Sequence, residues 1–226
     1  QDCGRVDIFF GGSGFGPGQV RNMSTDSDLA FYCADEYAGL GTEIAHGDLN
    51  GDGIQDLFLL TLQYESTIGN FVVFGGNRSG PLRDIRSMGV MEIMPTVGNM
   101  YYSVLGAAFG DVDDDGIDDL VLGVPSYGYI EDYTLFIIPK YRFCGALLII
   151  PGATDIGIGK KNLDDIVRYT VLGEYSYGYM GKRIICADLD GDKRDELVVS
   201  DPYYDMHSKE YSPEGVVYVM FAHSFA

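Results

Sequence analysis

Positive charge is scarce in this sequence: 15 Lys and Arg stand against 34 Asp and Glu, a formal net charge of -19. Such a chain repels the phosphates of nucleic acid and offers no basic patch to an anionic membrane, so neither is expected as a partner, and acidic partners are disfavoured too. No apolar run approaches the ~20 residues that span a bilayer, the longest being residues 146–152 and the runs that follow each acidic loop, so direct membrane insertion is not expected. Histidine is also rare. His46, His207 and His223 are isolated, with no pair at metal-binding spacing and no Ser or Cys motif beside them, so no active site is read here and an enzyme is not expected. The glycine cluster at residues 11–18 lacks the Lys-Ser/Thr ending of a phosphate-binding loop, and no helical pattern follows it; it reads as a turn. Four cysteines in a chain of this size do not call for a disulfide framework.

What is present favours strands. A hydrophobic content of 46% suffices for a core, and 17 Tyr, 12 Phe and 31 Gly suit pleated surfaces and tight turns better than helices. An all-β fold is expected.

The acidic residues recur in one register. Asp111, Asp113, Asp115 and Asp119 occupy positions 1, 3, 5 and 9 of a tight loop, with Gly116 at the sharp turn of position 6 and the Ile117 carbonyl at position 7. Asp48, Asn50, Asp52 and Asp56 repeat it, with Gly53 and Ile54 at positions 6 and 7. Asp188, Asp190, Asp192 and Glu196 repeat it again, with Lys193 in place of the glycine and Arg194 at position 7. Carboxylates this close repel one another unless a hard cation neutralises them, and oxygen donors in a flexible loop suit Ca²⁺. About three Ca²⁺ sites are therefore expected, structural rather than catalytic, the third departing furthest from the pattern. A solvated acidic turn is the alternative, and threefold repetition weakens it.

These loops are not EF-hands. Position 12, where an EF-hand places a bidentate Glu, is Leu59, Leu122 or Val199, and each lies in a short β-rich run rather than an amphipathic helix. The loops begin at residues 48, 111 and 188, intervals that leave room for a whole sheet between them. Each unit holds four strand-like runs of roughly 5–8 residues, with the acidic loop always between the first and second. One such unit cannot bury both of its faces, so neighbours must stack, and the four-strand repeat points to a β-propeller. Residues 4–10 and 28–33 read as an antiparallel pair ahead of the first unit. Setting Phe10 near Ser27 brings Cys3 almost opposite Cys33, where a disulfide is as well accommodated as two thiols. Residues 156–168 are the one place where a helical turn is allowed, a loop fitting equally well.

These residues carry a family resemblance. The units resemble the FG-GAP repeats of the integrin α-subunit β-propeller and related extracellular proteins. Leu40-Gly41 and Met180-Gly181, placed ahead of the loops, look like the "FG" element, and Gly123-Val124-Pro125 and Ser200-Asp201-Pro202 like the "GAP". The first unit has Leu60-Thr61-Leu62 at the second of these places, and the second unit has Ser103-Val104 at the first. The resemblance implies a calcium-binding propeller of about seven blades, of which this chain supplies the outer strands of a preceding blade (residues 1–36) and blades at 37–95, 96–172 and 173–226, the last short of a strand. Flanking sequence or another chain would complete the ring. Protein partners are expected at the blade-face loops, in adhesion or surface assembly, with the tyrosine-rich turns at 64–70, 126–143 and 203–214 as the contact surface. Carbohydrate recognition and service as an accessory segment of a larger secreted enzyme are the alternatives. The expected location is extracellular, secreted or at the cell surface. The sequons at Asn22 and Asn77 are compatible with that, and the opening on Gln1 reads as a processed or excised piece.

Overall fold

The computed structural model describes residues 4–12, 16, 18, 20–35, 38–61, 69–76, 82–94, 104–128, 143–204 and 214–221. Valine, isoleucine, leucine and phenylalanine fill short extended runs, and glycine, aspartate and asparagine punctuate them, so strands joined by turns dominate. β1 (Arg5–Ile8) is followed by a short α1 (Met23–Asp26) and pairs antiparallel with β2 (Leu29–Tyr32). Next come β3 (Ile44–Gly47), β4 (Asp56–Leu59), β5 (Asn70–Val73), β6 (Arg83–Asp84), a 3₁₀ turn (Ile85–Ser87) and β7 (Met91–Met94). Then follow β8 (Gly106–Gly110), β9 (Asp119–Val124), β10 (Ala146–Ile150), β11 (Gly159–Asn162), α2 (Leu163–Ile166) and β12 (Tyr169–Leu172). The last are β13 (Ile184–Ala187), β14 (Glu196–Asp201) and β15 (Val216–Met220).

These strands form an all-β arc of propeller blades. Two complete antiparallel meanders, β3-β4-β5-β7 and β8-β9-β10-β12, lie between the leading β1-β2 pair and a sheet of β13, β14 and β15. Stacking follows from the period-two alternation of the strands. Phe58 and Leu60 of the β4 run pack with Leu120, Leu122 and Ile150 of the next sheet, whereas Leu59, Phe71 and Val73 pack with Val6, Leu29 and Phe31 of the preceding one. Val121, Leu147 and Ile149 turn the other way and meet Ile184, Leu197 and Val199. Three cores thus separate four sheets, and each fully buried Leu, Phe or Ile contributes about 1.5–3 kcal/mol. The first strands β3, β8 and β13 lie side by side.

Two short strands cross between sheets. β6 adds to the edge of β2, and β11 to the edge of β7, both in parallel. Each leads into a single helical turn and then the last strand of its own sheet, so 156–168, where a helical turn or a loop fitted equally, holds a strand and a helical turn; it is not the one such place, since Met23–Asp26 and Ile85–Ser87 are also helical turns. The "FG" elements also cross. Leu40 and Met180 are buried and bridge in parallel to Gly4 and Gly145 of the sheet before, while Gly41 and Gly181 sit at φ +90° and +89°.

The β1–β2 register, with Arg5 opposite Tyr32, is the one expected. Continued by one residue it sets Gly4 opposite Cys33. Cys33 is a buried free thiol, so the Cys3–Cys33 bridge is not made. Cys144 is likewise buried and free, and Cys186 is half-buried and free. Cys3, His207, His223, the Asn77 sequon and most of the tyrosine-rich turns lie outside the described residues. Among the described residues no helix is long and apolar enough to cross a membrane.

Candidate metal centres

Each acidic loop joins the first strand of its sheet to the second: 48–55 lies between β3 and β4, 111–118 between β8 and β9, and 188–195 between β13 and β14. Because the first strands are neighbours, the loops are neighbours on one edge of the stack.

The three loops share one backbone. Position 4 is left-handed in all (Gly51 φ +67°, Asp114 +65°, Gly191 +87°), and so is position 6 (Gly53 +82°, Gly116 +87°, Lys193 +76°). Lys193 therefore makes the turn a glycine was expected to make, in a region that side chains disfavour. The hydrogen bonds also repeat. The position-6 amide donates to the Oδ2 of position 1: Gly53 to Asp48 (2.7 Å), Gly116 to Asp111 (2.9 Å) and Lys193 to Asp188 (3.0 Å). The position-7 amide donates to position 5: Ile54 to Asp52 (2.8 Å), Ile117 to Asp115 and Arg194 to Asp192 (both 2.9 Å). The position-2 amide donates to position 9: Leu49 to Asp56 (3.0 Å), Val112 to Asp119 (3.1 Å) and Leu189 to Glu196 (2.7 Å).

Position 9 has a second task. Asp56 and Asp119 are fully buried, and each also accepts an amide from just beyond the third strand, Gly75 at 2.7 Å and Gly152 at 2.9 Å. These carboxylates pin loop and strand end together. Burial raises the pKa of Asp56, and raises that of Asp119 to about 7, the charges of Asp113 and Asp115 adding to the latter.

Carboxylate oxygens of Asp111, Asp113 and Asp115 lie within 4.8 Å of one another, as do those of Asp188, Asp190 and Glu196. Asp192 stands outside the second trio. In the first loop Asn50 takes position 3, where its Nδ2 donates to Asp52 Oδ2 at 3.1 Å, and no carboxylate trio gathers there among the described residues. Asp113 Oδ1 is buried without a partner, and its pKa is raised by burial and by Asp115 and Asp111. A group of convergent, crowded oxygens with one orphaned acceptor fits a hard divalent cation such as Ca²⁺, which binds 6–8 oxygens. In such a site Asp111, Asp113 and Asp115, or Asp188, Asp190 and Glu196, would hold the ion, with the position-7 carbonyls alongside.

Sequence reasoning treats each loop alone and so misses position 8. Asp118 and Asp195 stand there in the second and third loops and reach across to the loop before. The Asp48 amide donates to Asp118 Oδ2 at 2.7 Å, and the Asp111 amide donates to Asp195. In the first loop position 8 is Gln55, whose Oε1 meets His46 Nδ1 at 2.7 Å within its own sheet.

The opposite edge is aromatic. Phe143 stacks on Tyr179 (centroids 5.5 Å, interplanar 10°), Tyr203 meets Tyr179 edge-on at 5.5 Å, Tyr175 meets Tyr204 at 4.4 Å, and Lys182 Nζ lies over Tyr203 at 5.6 Å. Phe143, Tyr177 and Tyr179 all have positive φ, and Phe143, Tyr175, Tyr177 and Tyr203 are exposed. Under this cluster Asp201 is fully buried, and neither carboxylate oxygen has a partner among the described residues.

No family model matches the chain. It is similar to phosphatidylinositol-glycan-specific phospholipase D of Mus musculus, 27% identical over 194 residues, covering 83% of this chain and 21% of that protein. It is similar to integrin alpha pat-2 of Caenorhabditis elegans, 25% identical over 210 residues, 89% of this chain and 15% of that one. A stretch of 97 residues, 40% of the chain and 9% of the relative, is 31% identical to integrin alpha-4 of Xenopus laevis. The chain spans about a fifth of the length of the first of these relatives. Members of two classes of protein, integrin alpha chains and phosphatidylinositol-glycan-specific phospholipases D, are thus similar to it at 25–27% identity over most of its length.

Proposed function

We propose that this chain is a calcium-stabilised propeller segment of an extracellular protein, acting in adhesion or surface assembly by binding other proteins at the edge opposite the metal loops. The observation that carries the reading is the threefold loop: left-handed turns at positions 4 and 6, three hydrogen bonds common to all the loops and one place in each sheet, with an orphaned carboxylate oxygen on Asp113. Calcium would be held by Asp48, Asn50, Asp52, the Ile54 carbonyl and Asp56; by Asp111, Asp113, Asp115, the Ile117 carbonyl and Asp119; and by Asp188, Asp190, Asp192, the Arg194 carbonyl and Glu196. The exposed aromatic cluster supports a protein-binding face, since rigidly mounted tyrosines make good anchors. Similarity to integrin alpha chains supports the adhesion reading. Blades divide at 37–95, 96–172 and 173–226 behind the leading pair in 1–36. A further sheet, from flanking sequence or another chain, covers the exposed Ile185, Val217 and Val219 on the outward face of the β13-β14-β15 sheet.

The test is a thermal melt with calcium, with chelator and with magnesium, paired with metal content by mass spectrometry. Extracellular modules bind calcium with Kd of about 10⁻⁴–10⁻³ M, and at tenfold excess each filled site adds about 1.4 kcal/mol. A calcium-specific rise in midpoint with about three ions bound is expected. Unchanged midpoints with no ion bound overturn it. A second reading, an accessory segment of a larger secreted enzyme, is favoured by the similarity to phosphatidylinositol-glycan-specific phospholipase D. A catalytic domain elsewhere in the full-length transcript would decide for it.

A further inference from the structure

Calcium loops are ordinarily treated as separate sites, each with its own affinity. Here they touch. Position 8 lies between the position-7 carbonyl and the position-9 carboxylate, so a cation that fixes those two groups also fixes the residue between them. In the second loop that residue is Asp118. It accepts the amide of Asp48, position 1 of the first loop, at 2.7 Å and returns its own amide to the Asp48 carbonyl at 3.3 Å. Around this pair the loops are in close contact: Ile117 lies 3.1 Å from where a Cβ on Gly51 would be, and the Ala153 amide donates to the Leu49 carbonyl at 2.9 Å. The third loop repeats the arrangement one step on. Asp195 accepts the amide of Asp111, position 1 of the second loop, and Arg194 Nη2 reaches Asp114 Oδ2 at 2.7 Å.

We propose that Asp118 and Asp195 are positioning residues that join neighbouring metal loops, so that filling one loop tightens calcium binding in the next. The inference rests on the calcium reading above. In each junction the bond ends on position 1, whose carboxylate organises its loop by accepting the position-6 amide. Ordering position 8 of one loop therefore holds the backbone of the first ligand of its neighbour in place before the ion arrives, and the entropy of that ordering is spent once for two sites. The second loop is the hinge of the series, since it is bonded to both others. Among the described residues the first loop has no such outgoing bond from position 8, where Gln55 is engaged by His46.

The experiment uses the whole chain, calcium titrated by calorimetry and bound ions counted by native mass spectrometry. Asp115→Ala removes an exposed ligand of the second loop whose hydrogen bond stays within that loop, leaving the cross-loop bonds in place. The wild type should bind with a Hill slope above one. Asp115→Ala should lose one ion and also weaken the remaining two, by about 5–10-fold, the lower part of the range for coupled sites. In an Asp118→Ala background the same substitution should no longer weaken the first loop, whereas Asp118→Asn, which keeps an acceptor oxygen, should retain the effect. If Asp115→Ala loses one ion and leaves the other two affinities within twofold, or strengthens them, the coupling is refuted and the calcium sites stand. If the wild type takes up no calcium, the calcium reading falls and the coupling with it.

Discussion

Asp201 is the residue whose replacement tests the energetics of this fold most sharply. It ends β14 at the position held by Thr61 and Val124 in the two preceding sheets, and all three are buried. Thr61 satisfies its hydroxyl by donating to the Gly69 carbonyl at 3.1 Å, and Val124 has nothing to satisfy. Asp201 has two oxygens without partners among the described residues, and burial raises its pKa from 3.8 to about 6. A displacement of that size corresponds to about 3 kcal/mol between the two protonation states. The sign follows from which state holds the proton. Between pH 4 and 6 the unfolded chain has released it and the folded chain retains it, so the stability that Asp201 contributes is greatest below that window, falls as pH rises through it, and stays lower above it. Asp201→Val, which copies Val124, should therefore stabilise the protein by about 2–3 kcal/mol at pH 7, where an unpaired buried charge is removed, and by much less at pH 4. Asp201→Asn should gain less, because an unsatisfied amide remains. Urea midpoints of wild type and both variants from pH 4 to pH 8, in saturating calcium, give the difference directly, since other titrating groups cancel between variants. A wild type more stable than Asp201→Val at pH 7, or a difference that does not change with pH, would refute the reasoning.

Two further substitutions probe the loops and the blade packing. Lys193 occupies the left-handed position filled by glycine in the other two loops, so Lys193→Gly should relieve about 1 kcal/mol of backbone strain and raise the melting midpoint, with tighter calcium binding confined to the third loop; a lower midpoint would show that the lysine side chain contributes more than its backbone costs. Gly123 faces the next sheet so closely that an added Cβ would lie 1.9 Å from the Gly181 carbonyl oxygen. Gly123→Ala should cost at least about 3 kcal/mol in urea denaturation, and a loss below 1 kcal/mol would mean that the two sheets separate easily at that point.

Much of the architecture was legible in the sequence because it repeats. Alternating apolar runs after each acidic loop carry the two-faced burial that stacks the sheets, and the leading pair falls in the register that the spacing of Phe10 and Ser27 implies. The cross-strands β6 and β11 were not legible, because their residues, Arg83–Asp84 and Gly159–Asn162, are polar or glycine and bury nothing of their own. They are strands only because an open edge stands beside them. The cysteine pairing is a matter of one residue: the register, continued from Arg5 opposite Tyr32, sets Gly4 opposite Cys33, and a shift of one position changes which residue faces it. In the sequence Asp201 is part of a motif at a strand end, and only the packed structure reveals that its carboxylate is enclosed.

The metal loops show how a repeated motif can hide what the repetition is for. Read singly, positions 1, 3, 5, 7 and 9 account for a cation and leave position 8 without a task. Stacking changes that, because a loop that follows the first strand of every sheet must meet the loop before it, and position 8 is the residue that faces the junction. Asp118 and Asp195 fill it where a preceding loop exists to receive them, and Gln55, at the head of the described series, turns back to His46. The apolar cores hold the sheets together through their faces, whereas these carboxylates join them along one edge. If calcium fixes that edge, its removal loosens the contact between blades as well as the loops themselves. Chelation should then raise hydrogen exchange at the Asp48 and Asp111 amides, which donate across the junctions, at least as much as at Gly53 and Gly116 within the loops. Exchange that rises only within the loops would confine the ion to a local part.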